Sequence, residues 1–272
     1  MKGFISTPSN KTNFREIINS RNLIYELIRR DFIVRYKQTG LGIIWAIINP
    51  GINIILYIFV FGLLVKIPTP EYNAPYAYVL ISGILFWGLF SNSMMVSSDA
   101  LINNMHLITK VYFPRLSLCI ASVFVALIDF FIAFIVFIPL SVICLTEFIF
   151  LRFFFLIPCI LITFMLGCGV GCVMAVLKLK YRDIRHMLPL FNQILFFSSP
   201  VVYTLSIVPD NYKIYYLVNP LTGIIELSRW AILGAGGVNI QALVCGLISA
   251  VVIMLAGIYY FISNDGVIAD YE

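Results

Sequence analysis

One ionisable side chain, Asp129, lies well inside an otherwise uncharged run: residues 116–146 carry no other charge. A carboxylate in apolar surroundings is expensive and persists where it is paired or functional. Proton-coupled transport would call for several such groups. A single one favours a structural role, with Asp129 facing the interior of a helical bundle. Other chemistry-bearing residues are sparse. His106 and His186 lack the paired ligands that a metal requires. Cys119, Cys144, Cys159, Cys168, Cys172 and Cys245 lie in or beside apolar stretches, with no CxxC pair and no neighbouring His, and read as small embedded hydrophobes. No Gly-Lys dipeptide occurs, so no P-loop can be drawn, and neither GxSxG nor HExxH is present. No catalytic residue, metal or cofactor is expected on this chain. If it drives work, the energy comes from elsewhere.

Aromatic residues make up 15% of the chain, and many fall near predicted helix ends. Tyr57, Phe59, Phe61, Tyr76, Tyr78, Phe86, Trp87, Phe90, Tyr203, Tyr212, Tyr215, Tyr216 and Trp230 fit an interfacial belt with lipid-facing Phe. A second reading is a path for sugars, whose C–H faces slide along aromatic rings; Tyr57, Phe86, Trp87, Phe90, Tyr203 and Tyr216 are its candidate residues. Gly167 and Gly171, with Gly169 between them, offer a small-residue face for close helix approach.

The elements that must carry these residues follow from composition. The chain is 61% hydrophobic and 11% charged over 272 residues, with a mean hydropathy of +0.98. A soluble domain carries roughly 25% charged residues, and one this size cannot hide so much apolar surface. Charge-free or nearly charge-free runs give six candidate spans, roughly 42–65, 76–97, 116–144, 153–177, 187–207 and 240–262. Pro50, Pro139, Pro158, Pro189 and Pro200 predict kinks. With the N-terminus inside, fourteen of the 18 Lys and Arg residues fall on the inner side and four (Lys66, Arg152, Lys213 and Arg229) on the outer side. By the positive-inside rule both termini are expected in the cytoplasm. Loops 98–115 and 178–186 are then cytoplasmic, and 67–75, 146–152 and 208–239 external. The basic residues read as membrane flanks rather than as a nucleic-acid surface. No short apolar leader with a cleavage site stands at the N-terminus.

Residues 1–40 read as a cytoplasmic segment and 41–272 as one membrane domain. Phe14, Ile17, Ile18, Tyr25, Ile28 and Phe32 recur at helical spacing and predict an amphipathic helix at the inner interface. It serves as a plain anchor or as a platform for a partner. Segment 208–239 is too long for a tight turn and too apolar for a solvated loop. With Asn219-Pro220 and the breaker Gly234-Ala235-Gly236-Gly237, it predicts two short helices re-entering the outer leaflet between spans five and six.

The run from Arg30-Asp31 through Arg35-Tyr36-Lys37-Gln38-Thr39, with Leu41-Gly42, Trp45 and Asn49-Pro50, resembles the N-terminal signature of polysaccharide-export permeases. These are the membrane subunits of type-2 ABC exporters. Further matching blocks follow in order: residues 82–87 (SGILFW), 107–115 (LITKVYFPR), 181–184 (YRDI), 200–203 (PVVY) and 216–220 (YLVNP). Together they cover nearly the whole chain, and the first block looks closest to the O-antigen branch.

The resemblance implies an all-α integral membrane protein of six helices that works as a homodimer with two cytoplasmic ATP-binding cassette subunits, which would carry the ATP and Mg. It implies outward movement of undecaprenyl-diphosphate-linked polysaccharide, such as O-antigen, across the bacterial inner membrane. It also implies that the interface helix and the loop between spans two and three touch the ATPase. Arg30, Arg35, Lys110, Tyr112, Phe113, Arg115, Arg182 and Asp183 are the candidate coupling residues. Permeases for capsule, teichoic acid or another amphipathic substrate are the near alternatives. A membrane-embedded glycan transferase would need an interfacial acid/base cluster. A secondary transporter would need several intramembrane charges and a repeat. The sequence shows none of these.

Overall fold

The computed structural model describes residues 19–37, 39–72, 74–111, 113–142 and 150–266. Phe14, Ile17, Ile18, Gln38, Tyr112 and Cys144, named above, lie outside the described residues. Among the described residues there are helices and no strands. In chain order they are α1 (Arg21–Lys37), α2 (Trp45–Tyr57), α3 (Tyr76–Asn103), α4 (Met105–Ile108), α5 (Leu116–Val142), α6 (Leu156–Lys180), α7 (Ile184–Ser198), α8 (Asp210–Val218), α9 (Pro220–Leu233) and α10 (Ile240–Ser263). A 3-10 turn (Gly42–Ile44) leads into α2, and a wider π-helical stretch (Ile58–Leu64) continues it.

Among the described residues, five continuous helical stretches are long and apolar enough to cross a membrane: Gly42–Leu64, Tyr76–Asn103, Leu116–Pro139, Leu151–Lys180 and Ile240–Ser263. The chain is an all-helical integral membrane protein. The span expected over 187–207 is not one helix, because α7 stops at Ser198 after 15 residues. Pro200 supplies the reason. It cannot donate to the helical ladder and it pushes the residue before it out of helical geometry; Ser199 is extended (φ −104°, ψ 147°). Pro50, Pro139 and Pro189 sit inside helices. Pro158 falls in the first turn of α6, where no intrahelical N–H bond is lost.

α3 is the central helix: 72% of its most apolar stretch is buried, against 6% for α2 with its flanking turns. Lipid tails supply no hydrophobic drive between helices, so close packing of small residues governs association. A Cβ added to Gly167 or Gly171 of α6 would lie 2.5 or 2.6 Å from the Cβ of Ser93 or Ser97 on α3. A Cβ on Gly169 would lie 2.6 Å from the Ile253 carbonyl oxygen of α10. The glycine triplet therefore packs α6 against both neighbours at once. Lys178 of α6 reaches Asp99 of α3 at 2.7 Å, and Arg115 at the start of α5 reaches Asp265 beyond α10 at 3.1 Å.

α1 packs on this bundle through Leu23, Ile24, Leu27 and Ile28, with Leu27 buried in a cluster that includes Leu101, Leu116 and Phe261. Tyr25, expected on the apolar face, is 64% exposed. One residue turns a helix by about 100°, so Tyr25 points away from the face that Ile24 defines.

In the segment between α7 and α10, α8 is largely exposed and α9 is buried along almost its whole length. The Asn219 side chain caps α9 by accepting from Leu221 N at 3.0 Å. Pro220 occupies the first turn, and Gly234 closes the helix with φ 74°.

Candidate functional site

α2 carries Trp45, Asn49, Asn53 and Tyr57 every four residues, so they share one helical face. Residues of α3 (Trp87, Gly88, Asn92), α5 (Asp129, Phe130) and α7 (Asn192, Gln193, Phe196) stand opposite that face. Arg35, Tyr36 and Thr39 close one end. Together they enclose a cavity of about 830 Å³. Its wall alternates amides with aromatic rings: Tyr57 stacks on Phe196 with centroids 5.3 Å apart, and Trp87 meets the same ring edge-on at 5.4 Å.

The charged corner of the cavity is built on Asp129. Tyr36 Oη donates to Asp129 Oδ1 at 2.5 Å, and Asn92 Nδ2 donates to Oδ2 at 3.3 Å. Arg35 Nη1 also donates to Oδ2. Burial first, then the Asp129 carboxylate, holds the Tyr36 phenol well above its ordinary value, so it acts as a donor. Among the described residues of the wall, Arg35 is the one cation and Asp129 the one anion. Asn192 Oδ1 is buried without a hydrogen-bond partner among the described residues.

A second groove of about 880 Å³ runs between α7 and the α8–α9 junction, lined by Phe197, Tyr215, Tyr216 and Asn219. Tyr203 stands beside it. Its hydroxyl donates to the Phe197 carbonyl at 2.8 Å and pairs with the Tyr216 hydroxyl at 2.9 Å.

The structure divides the residues singled out by sequence. Tyr57, Trp87 and Asp129 line the cavity. Phe86 and Phe90 do not: Phe86 is fully buried, its ring centroid 5.5 Å from that of Phe130, and Phe90 is 5% exposed in the same core. Phe86 neighbours Trp87 in sequence, yet a single residue step turns it to the packed side of α3.

The basic residues divide too. Arg35 faces Asp129 rather than an open surface. Arg30 holds Asp31 at 2.7 Å and the Asn104 side-chain oxygen at 2.6 Å. Arg115 is engaged with Asp265, and Phe113 is half-buried against the second core cluster. Lys110, Arg182 and Asp183 are exposed. Sequence reading missed Tyr36, Asn49, Asn53, Asn92, Asn192 and Gln193. For the five amides the available signal was their place in charge-free apolar runs, since an amide facing lipid would lack a partner; Tyr36, between Arg35 and Lys37, carried no such signal.

The chain is 26% identical over 244 residues to the O-antigen export system permease protein RfbA of Klebsiella pneumoniae, covering 88% of this chain and 91% of that protein. It is 26% identical over 217 residues to RfbA of Myxococcus xanthus, covering 77% and 80%. It is 27% identical over 210 residues to the polysialic acid transport protein KpsM of Escherichia coli, covering 76% and 80%. The family described as ABC-2 type transporter matches residues 22–233, most of the chain, and the protein belongs to that family.

Proposed function

We propose that this chain is the membrane-spanning permease subunit of an ATP-driven exporter that moves lipid-linked surface polysaccharide outward across the plasma membrane. The cavity between α2, α3, α5 and α7 is the observation that carries the reading. Its aromatic rings suit the C–H faces of sugars, and its amides suit their hydroxyls. The similarity to RfbA and KpsM supports the same substrate class.

In this reading α7 and the turn beyond it make a fifth crossing, which gives six. α8 and α9 enter the outer leaflet without crossing. Both termini face the cytoplasm. Two copies pair, and two separate cytoplasmic subunits hydrolyse ATP. Exposed Lys110, Arg182 and Asp183, with the neighbouring Tyr112, meet those subunits.

Deleting the gene and complementing it in trans tests the proposal. Loss of surface polysaccharide with build-up of its lipid-linked precursor inside the cell is expected. Unchanged surface polysaccharide and no precursor build-up would overturn it.

A further inference from the structure

Among the described residues three ion pairs tie distant parts of the bundle together, and one of them is built the other way round. In the Lys178–Asp99 pair the cation is sealed in, with its side chain 4% exposed, and the carboxylate is 39% exposed. In the Arg115–Asp265 pair both side chains are largely covered, at 15% and 17%. In the Arg35–Asp129 pair the carboxylate is covered, at 13%, and the cation is the more open partner, at 34% on the cavity wall.

Asp129 is also over-provided with donors. Tyr36 satisfies one oxygen and Asn92 the other, so the carboxylate keeps a neutral partner on each oxygen without the guanidinium. Arg35 donates to that carboxylate through Nη1, and the Tyr36 hydroxyl also lies beside its guanidinium. A guanidinium carries five N–H donors in a planar fork that matches two oxygens of a phosphate.

We infer that Arg35, oriented by Asp129, is the receptor for a phosphate-type anion that enters the cavity. The deduction rests on the export reading for the cavity's use and goes beyond it by naming the group that is gripped and the residue that grips it. Asp129 holds one edge of the fork and turns the other to the cavity. Asn49 on the same wall adds a neutral donor. Away from bulk water such a contact strengthens. The anion comes either from the phosphate linkage of a polyprenyl-linked glycan or from a bilayer headgroup. Asp129 is a positioning residue here, and its negative charge opposes the anion that it helps Arg35 to meet.

That opposition supplies the test. Full-length permease in neutral phosphatidylcholine nanodiscs is titrated with farnesyl diphosphate, farnesol and inorganic pyrophosphate, reading the fluorescence of Trp45 and Trp87 in the cavity wall. A bond to a charged donor predicts that farnesyl diphosphate binds about tenfold tighter than farnesol. Arg35→Gln erases that ratio, and Arg35→Lys keeps part of it, since a point charge remains without the fork. Asp129→Asn keeps an amide oxygen to hold the guanidinium and removes the opposing charge, so it raises the ratio.

A pair that merely holds α1 on α5 predicts that Arg35→Gln and Asp129→Asn weaken binding together, and that result overturns the inference. An unchanged ratio in Arg35→Gln overturns it as well. Should Asp129→Asn fail to assemble, the Arg35→Lys and Arg35→Gln pair decides alone. Arg35-dependent binding of pyrophosphate with no binding of either farnesyl compound upholds the anion receptor and removes the lipid-linked reading. Loss of the tenfold ratio when phosphatidylglycerol is added to the nanodiscs, restored in its absence, upholds the receptor and assigns it to bilayer headgroups.

Discussion

Nη2 of Arg229 donates to the carbonyl of Val201 at 2.8 Å, which ties the middle of α9 to the turn that ends α7. The same side chain donates to Tyr203 O at 3.1 Å and to Val79 O of α3 at 3.2 Å, and it is 1% exposed. Arg229→Met strands three carbonyls and is expected to lower stability by about 3 kcal/mol or more. Arg229→Lys loses the fork and is expected to fall between the two. Thermal unfolding followed by size-exclusion chromatography measures both. A melting temperature unchanged in Arg229→Met contradicts the clamp.

Glu226 lies one turn before Arg229. It is 7% exposed, and its Oε2 has no hydrogen-bond partner among the described residues. Burial, then the nearby Glu71 charge, raises its carboxyl to about 7, with Arg229 opposing. A raised acid binds a proton in the folded state that the unfolded state has released, so stability falls as pH rises from about 4.5 to about 7 and is flat above. Glu226→Gln is expected to remove that slope and to stabilise the protein at pH 8 by a few kcal/mol, since each tenfold difference in proton affinity between the folded and unfolded chain is worth about 1.4 kcal/mol. Melting temperatures at pH 5 and pH 8 for both proteins give the answer; parallel pH profiles refute it.

A Cβ on Gly257 of α10 would sit 2.2 Å from the carbonyl oxygen of Gly169 on α6. Gly169→Val is expected to destabilise by about 1–3 kcal/mol through overpacking. Gly88→Ala on α3 meets nothing within 4 Å and is expected to gain up to about 1 kcal/mol from helix propensity. Opposite signs in the two melting curves are the expected result.

Sidedness is tested with single cysteines in a background without the six native ones. Lys213→Cys on exposed α8 is expected to react with an impermeant maleimide from outside intact cells. Lys110→Cys and Arg182→Cys are expected to react only after permeabilisation. Labelling of position 213 from the cytoplasmic side alone would reverse the topology.

Val111, 55% exposed beside exposed Lys110, offers an apolar knob with a charged rim. Lys110→Glu with Val111→Asp is expected to leave the permease in the membrane while cutting ATPase co-purification and surface polysaccharide at least tenfold, roughly the loss of one anchoring contact. Retention of both would place the coupling contact elsewhere. Phe113 is unsuited to this test, because it packs into the second core cluster and its removal would disturb the fold.

The residue order by itself determined five of the six expected spans and the ends of α9. Those depend on local rules. Without water, a backbone crossing lipid must satisfy its own hydrogen bonds, and Asn219-Pro220 and Gly234 start and stop a helix through their own geometry. The close face at Gly167 and Gly171 was legible for the same reason: small residues four apart always stack on one side of a helix.

The tertiary structure alone decided which side chain meets which. Arg35 reaches Asp129 across 94 residues, Trp87 lines the cavity while Phe86 packs behind it, and Arg229 is buried although it was counted among the outer cations. A membrane helix is apolar on the side that faces lipid and on the side that faces its neighbours, so its periodicity does not mark the inner face as it does in water. Rotation about the helix axis is then set by how closely glycines and serines let two backbones approach, and that rotation places Asp129 opposite Arg35 rather than against lipid.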